Sequence, residues 1–326
     1  MRRRLLRSTC CLLFSLLAGA ASAEQTLDAR QWLDRMVAAA HKLTYSGTFV
    51  FQNAALAESS RIVHLVEGGH ELERIEVLDG SPREVIRSND EVKCYLPESR
   101  TLIIEKRSRQ RSFPALEPAV LAALADYYVV RKGPAGRVAD RESQSILLEP
   151  KDDLRYGRQF WADVNSGLLL KAALLNERGE PIESFAFTQL QIGGMIDRDA
   201  VKSRYAQHSA DWQVRNVRAT QSHGEDSAWL FKTQLPGFSK RAGMLRGGRA
   251  DLPESMHLMF SDGLAAISVF IEPLAENARN TDNSMVVMGA TNVYRRVVAD
   301  HLLVVMGEVP QAALKKFGDG IEARRK

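Results

Sequence analysis

Tyr45-Ser46-Gly47-Thr48-Phe49-Val50-Phe51-Gln52 opens the stretch that decides the fold. Its large side chains recur at every second position, the period of an extended chain whose residues point alternately to the two faces of a sheet. The same period runs through Arg61–Glu67, Leu72–Leu78, Glu84–Arg87, Glu91–Leu96 and Thr101–Glu105. Turn signals at Gly68-Gly69, Asp79-Gly80-Ser81-Pro82, Ser88-Asn89-Asp90 and Pro97-Glu98-Ser99 separate these segments, which predicts a meander.

Upstream, Trp32, Leu33, Met36, Val37, Ala40 and Leu43 recur at helical spacing while Arg30, Asp34, Arg35 and Lys42 lie off that stripe. Downstream, Pro118–Asp126 reads as a second helix with Val120, Leu121 and Leu124 inward and Pro118 at its start. Strands Gln144–Glu149, Arg155–Val164, Leu168–Asn176 and Ile182–Ile192 follow, joined by turns at Asn165-Ser166-Gly167 and Glu177–Pro181. Strands and crossover helices do not alternate, so the sheet is antiparallel and the class is mainly β, of the α+β kind. Gly193-Gly194 ends a first domain over residues 24–192, and residues 193–209, polar and without a period, read as a linker. A smaller β-rich domain over 210–326 begins with Trp212–Val217. It continues through Trp229–Thr233, Met256–Phe260, Ala265–Glu272, Met285–Ala290, Val293–Val298 and Leu302–Glu308. A helix from Pro310, with Ala313, Leu314 and Phe317 facing inward, ends it.

The N-terminus carries Arg2, Arg3, Arg4 and Arg7, then an apolar run over Leu12–Leu17, then Ala21-Ser22-Ala23. This is the pattern of a cleaved export signal over residues 1–23, with an apolar run too short for a membrane-spanning helix. Four of the 44 Lys and Arg leave with it, and the remaining 40 balance the 40 Asp and Glu. The mature chain lacks the basic excess that nucleic-acid binding needs. Its single cysteine, Cys94, alternates with Val92 and Leu96 and reads as a small buried hydrophobe.

No catalytic chemistry emerges. The seven histidines lack metal-ligand spacing, and no nucleophile elbow, phosphate loop or dinucleotide fingerprint is present. The expectation is a binding protein with no enzyme activity, metal or cofactor. Two kinds of surface are candidates. Thr48–Phe51 and Leu168–Leu170 are apolar on both faces, so Tyr45, Phe49, Phe51, Trp161 and Leu168 either belong to a covered core or line an apolar groove for an acyl chain. Basic clusters occur at Lys106, Arg107, Arg109 and Arg111, and at the C-terminal Lys315, Lys316, Arg324, Arg325 and Lys326. Between Ser227 and Ala250 there is no acidic residue. There Lys240, Arg241, Arg246 and Arg249 are interleaved with glycine, which predicts a basic loop for anionic headgroups or an acidic peptide.

Four segments carry a resemblance. They are Tyr45-Ser46-Gly47-Thr48-Phe49-Val50, Leu235-Pro236-Gly237-Phe238, Ser261-Asp262-Gly263-Leu264 followed by Ser268-Val269-Phe270-Ile271-Glu272, and Val305-Met306-Gly307-Glu308-Val309-Pro310. In this order they resemble the RseB/MucB family of periplasmic regulators of the envelope-stress sigma factor. The resemblance implies an unclosed β-barrel similar to lipoprotein carriers, followed by a smaller β domain. It also implies location in the periplasm and a partner, the periplasmic part of a membrane-anchored anti-sigma factor. That partner would be shielded from a protease until lipid or lipopolysaccharide relieves the block. A lipid or lipoprotein carrier using the same groove is the alternative, and homo-oligomerisation stays open.

Overall fold

The computed structural model describes residues 27–53, 56–88, 91–106, 118–217, 228–246, 255–274 and 283–324. The leader at 1–23, Arg107, Arg109, Arg111, Arg249, Arg325 and Lys326 lie outside the described residues.

Helix α1 (Ala29–Lys42) starts at Asp28, whose carboxylate accepts the Gln31 amide while the Gln31 side chain accepts the Asp28 amide. This reciprocal cap satisfies two otherwise orphaned N–H groups. The expected stripe is buried, from Trp32 to Ala40. The meander then forms as β1 (Tyr45–Asn53), β2 (Ala57–Glu67), β3 (His70–Val77), β4 (Glu84–Ser88), β5 (Glu91–Leu96) and β6 (Thr101–Lys106). After α2 (Pro118–Tyr127) come β7 (Tyr128–Val138), β8 (Arg141–Pro150), β9 (Gly157–Asp163), β10 (Leu169–Leu175) and β11 (Pro181–Ile192). A further strand, β12 (Gln213–Val217), completes one sheet in the order β12-β6-β5-β4-β3-β2-β1-β11-β10-β9-β8-β7. The sheet does not close, and its two ends, β12 and β7, remain edges. Every pairing in it is antiparallel except β12 on β6.

β11 returns from the end of the second group of strands to pair with β1, so that group and the meander become one surface. Gly47 permits this approach, because a Cβ there would strike the Gln189 carbonyl and the Phe187 ring. A register shift follows at once between Thr48 and Phe49. Both helices lie on one face. Trp32, Leu33, Met36, Leu121 and Leu124 pack on Ile146, Leu148, Phe160 and Leu169, the apolar burial that stabilises this half of the molecule.

The second domain has a six-stranded sheet in the order β14-β15-β16-β19-β18-β17. Its strands are β14 (Ser239–Arg246), β15 (Ser255–Ser261), β16 (Ala266–Pro273), β17 (Ser284–Met288), β18 (Thr291–Val298) and β19 (His301–Gly307). Two short strands, β13 (Trp229–Phe231) and β20 (Ile321–Ala323), pair with each other. Helix α3 (Gln311–Asp319) buries Ala313, Leu314 and Phe317, as its spacing predicts, against Leu258, Ile267, Leu303 and Val305.

Two expectations are corrected, and one strand appears where none was expected. Trp212–Val217 was assigned to the second domain, but Gln213–Val217 is the edge strand of the first sheet, because Trp212 docks on Tyr95 and brings the chain alongside β6. Tyr128–Val138 went unread, since Gly133, Pro134 and Gly136 are strand breakers. As an edge strand with a register shift between Lys132 and Ala135, β7 tolerates them. The segment holding Lys240, Arg241 and Arg246 is a strand and not a loop, because its apolar positions pair across β15.

Candidate functional site

Register places Tyr45, Phe49 and Phe51 on the helix-bearing face of β1. Phe185 and Phe187 stand opposite on β11, and His64, Ser60 and Glu58 on β2. Tyr45, Phe49, Phe185 and Phe187 form a contiguous group with the histidine: Tyr45 stacks on His64 at 4.9 Å, and Phe49 contacts Phe185 at 4.8 Å. Tyr45 is sealed beneath α1 beside Ala39 and Leu168, and burial, aided by the nearby Glu73 carboxylate, pushes its phenol well above the usual range. Phe49 and Phe51 are only half-buried. The same face continues along one register row through Ile62, Ile75, Val85, Cys94 and Ile103. Val85, Cys94 and Ile103 are half-buried and belong to none of the packed cores among the described residues. Burial raises the Cys94 thiol pKa, which keeps it a neutral apolar group.

The candidate groove residues therefore divide. Tyr45 and Leu168 are core, and Phe49 and Phe51 are half-covered at its margin. Trp161 lies on the opposite face from Phe160, against the Lys171 ammonium at 4.6 Å, and is not brought to the group. Val85 and Ile103 were missed as groove candidates. They sit in the apolar runs Val85-Ile86 and Leu102-Ile103-Ile104, which do not single out a face, and only pairing register shows that they continue the Phe49 face. Of the basic residues, Lys240 and Arg241 are exposed on the edge strand β14.

The outer face of the meander sets buried charge beside apolar side chains, with Glu84 in one register row with Tyr95 and Leu102. Glu84 is fully buried, and the Arg74 and Arg204 guanidiniums both donate to it, at 3.1 and 2.9 Å. Both arginines also pair with Glu76. Arg204 comes from the segment read as a free linker. Two short 3₁₀ turns (Arg198–Val201 and Ala206–His208) instead strap it to the sheet, with Val201 buried and Tyr205 against Trp212.

The two domains meet at Arg155, in the bend before β9. Its side chain is inaccessible to solvent, and so is that of Asp262, its partner at 2.7 Å from the β15–β16 turn. The same guanidinium donates to Asp152 twice at 3.0 Å and to the Pro236 carbonyl at 2.6 Å. It stands over the rings of Tyr127, Tyr128 and Phe238. Nearby, Arg158 donates to the Leu264 carbonyl at 2.8 Å and lies 3.7 Å from Glu308, while Asn292 donates to the Tyr156 hydroxyl at 3.0 Å. Glu183, close to Glu308 and partly desolvated, has its pKa pushed up to about 7, chiefly by burial. Asp262, Gly263 and Leu264 thus form a junction between domains.

Residues 28–205 match the model of the MucB/RseB N-terminal domain, and residues 223–322 that of the MucB/RseB C-terminal domain. The chain belongs to the MucB/RseB family. It is 32% identical over 313 residues to the sigma factor AlgU regulatory protein MucB of Pseudomonas aeruginosa, covering 94% of each chain. It is 27% identical to the sigma-E factor regulatory protein RseB of Haemophilus influenzae over 99% of this chain and all of that one. The crystal structure of MucB in complex with MucA(peri) superposes with a TM-score of 0.72 at 29% identity, over 92% of this chain and all of that one. A crystal structure of MucB superposes with a TM-score of 0.63 at 28% identity, over 91% of this chain and 98% of that one. As a MucB/RseB protein, the chain is a periplasmic regulator of envelope-stress sigma-factor signalling.

Proposed function

We propose that this MucB/RseB protein binds the periplasmic part of a membrane-anchored anti-sigma factor, shields it from regulated proteolysis, and releases it when lipid or lipopolysaccharide occupies the concave face of the first domain. The observation that carries this reading is the combination of a half-covered apolar strip, Phe49 to Ile103, with a second domain docked on the same sheet through Arg155. The solved complex of MucB with MucA(peri) supports the partner class. The basic strand holding Lys240, Arg241 and Arg246, with Arg249 beyond it, supplies cations for an acidic stretch of that partner.

Lipid releases the partner only by favouring an arrangement that the partner disfavours, because a ligand shifts an equilibrium only by its differential affinity. A tenfold loss of affinity needs about 1.4 kcal/mol of coupling, and linkage makes the effect reciprocal. The test is titration of the secreted chain with the anti-sigma factor's periplasmic segment, with and without lipopolysaccharide. The expected result is weaker binding with lipopolysaccharide present. Unchanged affinity at saturating lipopolysaccharide would overturn the sensor reading in favour of a carrier, whose apolar strip serves transport alone.

A further inference from the structure

The second domain also meets the first sheet along one register row of its helix-bearing face. Asn53 of β1, Glu183 of β11, Leu174 of β10 and Arg158 of β9 are successive cross-strand partners, one pleat beyond Phe51 and Phe185. The β17–β18 turn covers this row. The Asn53 side chain lies against Gly289, where an added Cβ would come within 3.3 Å of it, and Ala290 is buried with Leu174 and Tyr156. Glu308, just past β19, stands 3.7 Å from Arg158.

Glu183 thus sits between two residues that the second domain covers. It is half-buried, and among the described residues no hydrogen bond or ion pair reaches its carboxylate. Across the strands it meets neutral Asn53 and Leu174, and the β17–β18 turn brings neutral Gly289 and Ala290. The charged groups that act on it are Glu308 from the second domain and Arg158 from β9. Arg158 is already committed, donating to the Leu264 carbonyl at 2.8 Å and facing Glu308. With Glu183 ionised, the junction holds two carboxylates against one guanidinium, partly removed from water, which is a costly arrangement.

We propose that the docking of the two domains is proton-sensitive at Glu183: a neutral carboxyl lets the β17–β18 turn and Glu308 close over the row, and an ionised one opposes them. In the docked arrangement the Glu183 pKa is pushed up to about 7, by burial first and Glu308 second. Undocking returns it toward the ordinary carboxylate range, so the docked form holds the extra proton. Docking is therefore full on the acid side and weakens as pH rises, by up to about tenfold per pH unit until about pH 7. Any ligand that distinguishes docked from undocked arrangements inherits this dependence, since ligand and proton bias the same equilibrium.

Förster energy transfer across the full secreted chain tests this. Dyes are attached through Arg137→Cys in the first domain and Lys316→Cys in the second, both exposed positions, with Cys94→Ala removing the native thiol. The docked fraction is followed from about pH 5 to about pH 8, a span that brackets the expected loss. A second series adds Arg155→Met, which removes the bond to Asp262 and brings a strongly docked equilibrium into measurable range. Transfer is expected to change with rising pH as docking is lost, most steeply in the Arg155→Met series. Glu183→Gln, a neutral side chain of the same shape, is expected to stay docked and to abolish the pH response in both series. Transfer that is flat with pH in both series overturns the proposal, as does a Glu183→Gln chain that keeps the response of its parent.

Discussion

Replacing Arg155 by methionine tests how the two domains are held. The substitution keeps much of the apolar stem and removes the guanidinium that is bonded to Asp262, Asp152 and the Pro236 carbonyl. Asp262 then stays buried with no cation. Breaking a buried pair from one side costs about 3–5 kcal/mol, most of it from the charge left behind. Asp262 keeps three bonds, from the Leu264 amide at 2.9 Å, the Ala265 amide at 2.8 Å and the Tyr128 hydroxyl at 3.5 Å, and these offset part of the loss. Losing the attraction of the Tyr127, Tyr128 and Phe238 rings adds to it, about 0.5–2 kcal/mol. The expected net loss is about 3 kcal/mol in urea denaturation, with the two domains unfolding in separate transitions where wild type shows one. Adding Asp262→Asn removes the stranded charge while keeping an oxygen for the turn, and is expected to recover about 1–2 kcal/mol as a coupling energy. An Arg155→Met chain within 1 kcal/mol of wild type, a threshold set below the range for any buried pair, would refute the reasoning.

Ile103→Asp is expected to abolish binding of a fluorescent acyl probe while the melting temperature holds, whereas Leu168→Asp, beneath α1, unfolds the domain; retained probe binding in the first would remove the groove. Reversing Lys240 and Arg241 to glutamate is expected to weaken partner binding at least tenfold at low salt and less at high salt, read by titration calorimetry. Glu183 has a raised pKa in the folded protein, so its contribution to stability is full below its ordinary value and is lost as pH rises through about 7. Glu183→Gln, resembling the protonated form, is expected to flatten the stability profile between those limits in thermal melts recorded across pH.

The alternation in β1–β6 and the stripes of α1 and α3 were legible because burial on one face leaves a period in the sequence. Strand β7 was not, since an edge strand satisfies its breakers at the bulge and its glycines make room for neighbours such as Leu147. The candidate groove was half legible. Tyr45 and Phe49 share a face and a period, but whether a helix covers one and not the other depends on where α1 ends. Arg155 looked like the first residue of a strand, because a side chain that joins residues 107 positions apart has no local pattern. The strap over residues 198–208 lies in the segment 193–209 that read as an interdomain linker, for a related reason. Its polar composition is satisfied by Glu76 and Glu84, two buried carboxylates in strands far upstream.

The parallel addition of β12 to β6 bears on how this protein divides into parts. The N-terminal family match ends at residue 205, yet the sheet it belongs to ends at Val217. A first domain cut at 205 would lose Trp212 from the ring of Tyr95 and strip the strand from β6, leaving Leu102, Ile103 and Ile104 on an open edge. A first domain that keeps this edge covered carries the chain through Val217.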